Sequence, residues 1–264
     1  MIDQGPFRKQ LILETVEKAG YQMTDFDAVC GRGGLLRHIP SGTYAVSDQA
    51  IADVLDPPYG EHASNLGVLL ARELGDMAGI PSFFVDPVCV DEMTPVAHVT
   101  GFKGMERESF FHALNQKSIA RKAAKLLGKT YEEARLIVIH MGGGVSVAAH
   151  ENGLAVDDFN VKDEGAFGMD RAGSLPVNAM INLCFSGLTK QEVKKLLGSE
   201  AGAYSYVGTK DFREVERRAF EENDPDCRMV FDAMAYQLAK DIGAMAAVLK
   251  FQVDAIVYTG GMAY

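Results

Sequence analysis

The mixed apolar and polar stretch "GPFRKQLILETVEKAG" (5–20) has Pro6 near its first turn and Gly20 as a C-terminal stop, and this predicts a first helix. A short apolar strand, a glycine loop around Arg32 and a second extended piece follow in "DAVCGRGGLLRHIPSGTYAV" (27–46). Helical periodicity returns in "HASNLGVLLARELGDMAG" (62–79) and again in "SFFHALNQKSIARKAAKLLGK" (109–129). Between them, "IPSFFVDPVCVDEM" reads as a buried strand that stops at Asp86-Pro87. Three strands come next, "ARLIVIH", "VSVAAH" and "LAVDDF", joined by "MGGG" and "ENG". Asn-Gly is a strong hairpin signal, so the three form an antiparallel meander with glycines at its first corner. Helices are predicted in "LPVNAMINLCFSG", "TKQEVKKLLG", "KDFREVERRAFE" and "DCRMVFDAMAYQLAKDIGAMAAVLK", before a last strand in "VDAIVYTGGMAY".

Composition narrows the picture. The chain is 47% hydrophobic and 23% charged over 264 residues, enough for one large or two medium domains with a substantial core. Its apolar runs fall well short of the ~20 residues that cross a bilayer. The N-terminus shows no apolar signal segment, and four scattered cysteines point to a reducing compartment, so the expected location is the cytoplasm. Cys30, Cys89, Cys184 and Cys227 form no C-x-x-C pair and are expected to be buried, reduced thiols. A net charge of −10 without a basic cluster argues against nucleic acid and anionic membranes as partners. An anionic substrate must then be held by a few local arginines, histidines or backbone N–H groups.

The glycines supply such groups. Gly142, Gly143, Gly144 and Ser146 lie where strand turns to strand. They serve either a tight hairpin corner or a clamp in which bare backbone N–H groups approach phosphate oxygens. No Gly-Lys-Ser/Thr follows and no helix opens, which excludes the Walker and dinucleotide patterns. Gly260-Gly261, after "AIVYT", can serve as a second ligand-facing turn or as a simple connection. Glycines flank Arg32, and Arg171 in "DRAGSLP" is similar; each is either solvated or positioned to grip an anion with its guanidinium fork. His62 and His112 begin helices, where each either bonds locally or faces an anion. Asp86 ends an apolar strand, the usual place for an active-site carboxylate in an α/β fold, or simply starts an Asp-Pro turn. His150 falls beside the hairpin turn and is expected at the surface. No histidine, cysteine and aspartate set has metal-ligand spacing.

In order along the chain, "RGGLLRHIPSGTYAV", "GEHASNLG", "FVDPVCVDEM", "FHALNQKSIARKAA", "LIVIHMGGGVSVAAHENG", "DRAGSLP", "LCFSG", "AMAYQLAK" and "VDAIVYTGGMAY" resemble the butyrate kinases of the acetate and butyrate kinase family. That family has the sugar kinase/Hsp70/actin-like fold. The resemblance implies an α/β protein of two actin-like (ribonuclease H-like) lobes with a cleft between them, closing over ATP·Mg²⁺ and a short-chain carboxylic acid. It divides the chain into a first lobe, 1–115, and a nucleotide-binding lobe, 116–264. His140, Gly142, Gly143, Gly144 and Ser146 become a phosphate-binding turn, and Gly260 and Gly261 the adenosine-side turn. Arg32 and Arg171 become paired active-site arginines, Asp86 the active-site carboxylate and His112 the transition-state histidine. His62 and Asn65 fall on the substrate side.

The sequence departs from the family pattern in "DEGAF" (163–167), one residue short and without the usual proline. The chain also starts without the N-terminal strands that carry a first phosphate loop and stops at Tyr264, before a C-terminal segment. The first expectation is phosphoryl transfer from ATP to butyrate or a branched analogue, in a homodimer or higher oligomer when complete. The alternative is an inactive remnant that binds nucleotide at most. A sugar kinase on the same fold needs a base for a hydroxyl and no arginine pair, and ranks below both.

Overall fold

A computed structural model describes residues 2–263. By its internal contacts the chain divides between Asp91 and Glu92. This is earlier than the 115/116 division expected from the resemblance. The reason is that the segment after Asp91 packs on the second sheet: Thr94 N–H bonds Val156 O at 3.0 Å and Val161 N–H bonds Phe110 O at 2.8 Å.

The first unit holds α1 (Gly5–Lys18), β1 (Val29–Gly31), β2 (Thr43–Ala45), α2 (Asp48–Leu55), α3 (Leu66–Ala78) and β3 (Ser82–Val85). β3 is the central strand, parallel to β1 and antiparallel to β2. Helix α3 supplies the core, burying Leu66, Val68, Leu70, Ala71 and Leu74 on one face. Sequence periodicity did not reveal α2, whose N-cap Ser47 accepts from Ala50 N–H.

The second unit contains α4 (Pro95–His98), α5 (Ala113–Leu126), β4 (Leu136–Met141), β5 (Val145–Glu151) and β6 (Leu154–Phe159). Helices α6 (Val177–Cys184), α7 (Lys190–Ser199), α8 (Tyr204–Val207), α9 (Phe212–Phe220) and α10 (Pro225–Val248) lead to β7 (Ala255–Thr259). The sheet order is β6-β5-β4-β7, antiparallel throughout the meander and parallel where β7 joins β4.

Each strand of this sheet presents alternate residues to opposite faces. Ile137, Ile139, Val147 and Ala149 meet Met245 of α10 and Leu249, which caps its C-terminus. Leu136 and Val138 meet Ala120 and Ala124 of α5 on the other face. Leu136 pairs with His150 and His140 with Ser146, so Ser146 and His150 of β5 face α5. His150 is therefore fully buried rather than at the surface. The hairpin turn beside it lies beyond the end of a central strand covered on both faces. Of the cysteines, Cys89 and Cys227 are buried as expected, whereas Cys30 and Cys184 are exposed, because the elements carrying them turn those positions to solvent. Among the described residues no helix is long and apolar enough to cross a membrane.

Lys117 of α5 is 1% exposed and pairs with Glu92 Oε2 at 2.5 Å. The same oxygen accepts from Ala155 N–H at 2.9 Å, and Lys117 also donates to Gly153 O at 3.2 Å. Removing one partner of a buried pair strands the other charge, at a cost of about 3–5 kcal/mol. Urea denaturation of Lys117→Met should show a loss of that size; a loss below about 1 kcal/mol would mean the pair is not desolvated in solution.

Candidate active site

The meander turn is the centre of the second unit's polar cluster. His140 and Ser146 are direct cross-strand neighbours flanking Gly142–Gly144. His112, the N-cap of α5, uses its ring on the sheet rather than on its own helix. Its Nδ1 lies 2.8 Å from Ser146 Oγ, and its ring stacks on His140 with centroids 3.7 Å apart and planes 13° from parallel. Asn115 Oδ1 accepts from His140 Nδ1 at 2.8 Å. Gln116 Nε2 donates to Ser146 Oγ at 2.9 Å. Sequence reasoning missed Asn115 and Gln116. Their spacing of three and four residues from His112, which puts them on one helix face, was the available signal.

The glycine turn is shaped by what surrounds it. None of Gly142, Gly143 and Gly144 has the left-handed φ that a tight corner would demand. A Cβ on Gly144 would lie 2.6 Å from both Arg171 Nη1 and Val161 Cγ2. A Cβ on Gly143 would meet nothing within 4 Å, so that backbone faces open space. Gly260 does have a positive φ, 91°, and a Cβ there would fall 2.2 Å from Met141 O. This packs the second glycine turn against the first, and Met262 N–H also bonds Met141 O at 3.1 Å. Gly261 has nothing within 4 Å of its Cβ position.

Arg171 reaches the turn from the loop that contains the shortened "DEGAF" stretch. That loop is held at several points. Arg107 forms a fork with both oxygens of Glu164 at 3.0 Å and also bonds Asp157. Asp241 of α10 accepts from Ala166 N–H at 2.7 Å, and Gln237 from Phe167 N–H at 3.2 Å. Ser174 N–H closes the loop on Gly165 O at 2.9 Å. The Arg171 guanidinium contacts Val161 O at 3.5 Å and, among the described residues, pairs with no carboxylate. In a chain of net charge −10, that leaves its charge available to a bound anion.

The remaining candidates belong to the first unit. Arg32 is exposed and, among the described residues, its guanidinium has no hydrogen-bond or ion-pair partner. Asn65 is buried, its Oδ1 accepting from Leu35 N–H at 2.8 Å, so it fixes the glycine loop that follows Arg32. His62 caps the short turn before α3 and lies 2.7 Å from Ser64 Oγ. Asp86 is 4% exposed and takes a φ of 37°, rare for a residue with a side chain. Its Oδ1 accepts from Ser41 Oγ at 2.7 Å and Gly42 N–H at 2.8 Å. A buried carboxylate held in strained backbone by two donors is the kind of feature that collects at functional sites.

Two groups near the second unit's cluster titrate unusually. His150 is pushed down to about 3 by burial and by the charges of Lys117 and Arg121, so it is neutral at physiological pH. Asp158 is pushed up to about 7, first by burial, against the Ser109 hydroxyl that donates to its Oδ2 at 2.6 Å. Its Oδ1 is buried without a partner.

A model of the acetokinase family matches residues 101–263. Among solved structures, acetate kinase of Porphyromonas gingivalis superposes with a TM-score of 0.82 at 24% identity, over 96% of this chain and 67% of that one. A propionate kinase from Francisella tularensis gives 0.76 at 19% identity, over 96% and 68%. Acetate kinase from Entamoeba histolytica gives 0.75 at 16%, over 98% and 69%. At these identities the likeness establishes a common fold, the actin-like one anticipated from the sequence, and the chain spans about two thirds of each of these proteins.

Gly143→Ala should leave the melting temperature within a few degrees of wild type and weaken ATP binding, whereas Gly144→Ala should destabilise the unit by displacing Arg171 and Val161. Paired thermal melts and ATP titrations distinguish the two, and equal destabilisation would make the turn purely structural. Asp158 has a folded-state pKa above the ~3.9 of an unfolded aspartate. Its contribution to stability is therefore full below about pH 4 and is lost as pH rises towards about 7. Asp158→Asn should flatten that part of the stability–pH curve and raise stability at pH 8; an unchanged slope would show Asp158 ionised in the fold.

Proposed function

The chain belongs to the acetokinase family, and on that premise we propose that it transfers the γ-phosphoryl group of ATP to the carboxylate of butyrate or a branched short-chain acid, giving an acyl phosphate and ADP. The family's reaction class is phosphoryl transfer with a carboxyl group as acceptor. The choice of butyrate rests on the sequence stretches that resemble butyrate kinases. One observation carries the reading. The Arg171 guanidinium, without a carboxylate partner among the described residues, two stacked imidazoles and an open glycine backbone surround a single turn.

That set suits the reaction. A short-chain acid has a pKa near that of glutamate, roughly 4.3, and is already an anionic nucleophile at neutral pH. No base is needed. The barrier lies in bringing two anions together, which positioning and fixed positive or donor groups lower. In this reading the backbone at Gly142–Gly144 holds phosphate oxygens, Arg171 and Arg32 take anionic charge, and His112 donates to the transferring group. Gly260 and Gly261 border the adenosine, while His62 and Asn65 lie on the acid's side.

Among the described residues no three histidine, cysteine or acidic side chains cluster as a metal cage. A Mg²⁺ in such a reaction keeps several waters and is held mainly by the phosphates. Asp86 is the carboxylate assigned to organise it, and the ion would neutralise charge on the phosphates.

Purified protein with ATP·Mg²⁺, butyrate and hydroxylamine should yield butyryl hydroxamate. Arg171→Ala should lower kcat by about 10²–10³ while leaving the melting temperature nearly unchanged. Near-wild-type turnover in that variant would remove Arg171 from the reaction. ATP binding without hydroxamate from any short-chain acid would overturn catalysis and leave a nucleotide-binding scaffold.

A further inference from the structure

A buried chain of hydrogen bonds runs from the active-site turn into the core beneath α5. His112 Nδ1 meets Ser146 Oγ at 2.8 Å, and Gln116 Nε2 meets the same oxygen at 2.9 Å. Gln116 Oε1 meets His150 Nε2 at 3.1 Å, and His150 Nδ1 meets the Tyr131 hydroxyl at 2.7 Å. Gln116, Ser146 and His150 are at most 1% exposed.

The direction of each bond follows from chemistry. Gln116 places one end of its amide 3.2 Å from the main-chain carbonyl of Ser146. A carbonyl only accepts, so that end is the NH₂ group and the other end is oxygen. The oxygen faces His150 Nε2, which must carry a hydrogen. His150 is neutral, held down to about 3 by burial, so its Nδ1 is a bare lone pair that accepts from Tyr131. At the other end, Ser146 Oγ accepts from Gln116 Nε2 and from the backbone N–H of His112 at 3.4 Å. Both lone pairs are then used. The serine proton is left to point at His112 Nδ1.

We propose that Gln116, acting through Ser146, fixes His112 as the tautomer with its proton on Nε2, and so is a positioning residue for phosphoryl transfer. This rests on the reading of His112 as the donor to the transferring group, a role that needs the ring proton on Nε2 because Nδ1 is engaged by Ser146 Oγ. Gln116 is fully buried and acts through Ser146. Its amide can point only one way because the Ser146 carbonyl and His150 hold its two ends. A histidine in the wrong tautomer is costly: in serine proteases that change alone lowers kcat by about 10⁴.

The test is ¹⁵N NMR of the histidine rings in uniformly labelled protein at pH 8, with His112 assigned from the signals lost in His112→Gln. Wild type should show a protonated Nε2 and a bare Nδ1 at His112. Gln116→Met keeps the volume but withdraws the donor from Ser146 Oγ, freeing a lone pair for a proton on His112 Nδ1. The Nδ1–H form should then become populated, with kcat falling at least about tenfold and KM for ATP changing less than about threefold. Ser146→Ala should shift the tautomer in the same direction, and it answers the question if Gln116→Met does not fold. A wild-type His112 protonated on Nδ1, or an unchanged tautomer in both variants, would overturn the proposal. The ring spectra are read without substrate, so absence of kinase activity would defeat the functional reading and leave this one to stand on its own data.

Discussion

Strand alternation in one antiparallel pair governs the second unit. Because β4 and β5 are in register at His140 and Ser146, the residues that face α10 are aliphatic while His140 and Ser146 face α5 beside the turn. A slip of β5 by one residue would exchange its faces, putting Ser146 into the aliphatic layer and Val147 beneath His112. The hydrophobic layer against α10 therefore fixes where the polar cluster stands. Core packing and chemistry are set by the same period of two.

The loop to Arg171 illustrates a different control. It has no regular structure, yet its backbone is tied to α10 by Asp241 and Gln237, to Arg107 through Glu164 and to itself through Ser174. Burial pushes Asp241 up to about 6, the cost of placing a carboxylate where it can hold a backbone N–H. The shortened "DEGAF" stretch thus still delivers an arginine to the glycine turn. Side chains of a neighbouring helix, rather than the loop's own sequence, specify its path.

These two cases explain what was legible in the sequence. Alternation made β4, β5 and β6 readable, and the glycines marked the turn, because both depend on neighbours close in sequence. Helix α2 was missed because its eight residues carry too short a periodic signal among polar neighbours. His150 was misplaced because burial on the α5 face depends on a helix that precedes it by some thirty residues, and a position beside a turn says nothing about that. The roles of Asn115 and Gln116 were hidden for the same reason, since a polar pair on a helix looks solvated until its partner strand is known. The reach of Arg171 to Gly144 could not be read locally either, as it depends on contacts with α10.

We place the phosphate site at the glycine end of the β4–β5 face turned toward α5, with His150 buried at the far end out of a ligand's reach. Titrating ¹⁵N-histidine-labelled protein with ATP·Mg²⁺ tests this most directly. The ring signals of His112 and His140 should move with a common saturation curve while those of His150 stay within experimental error. A titration in which ATP binds and neither His112 nor His140 responds would place the nucleotide elsewhere and contradict the account.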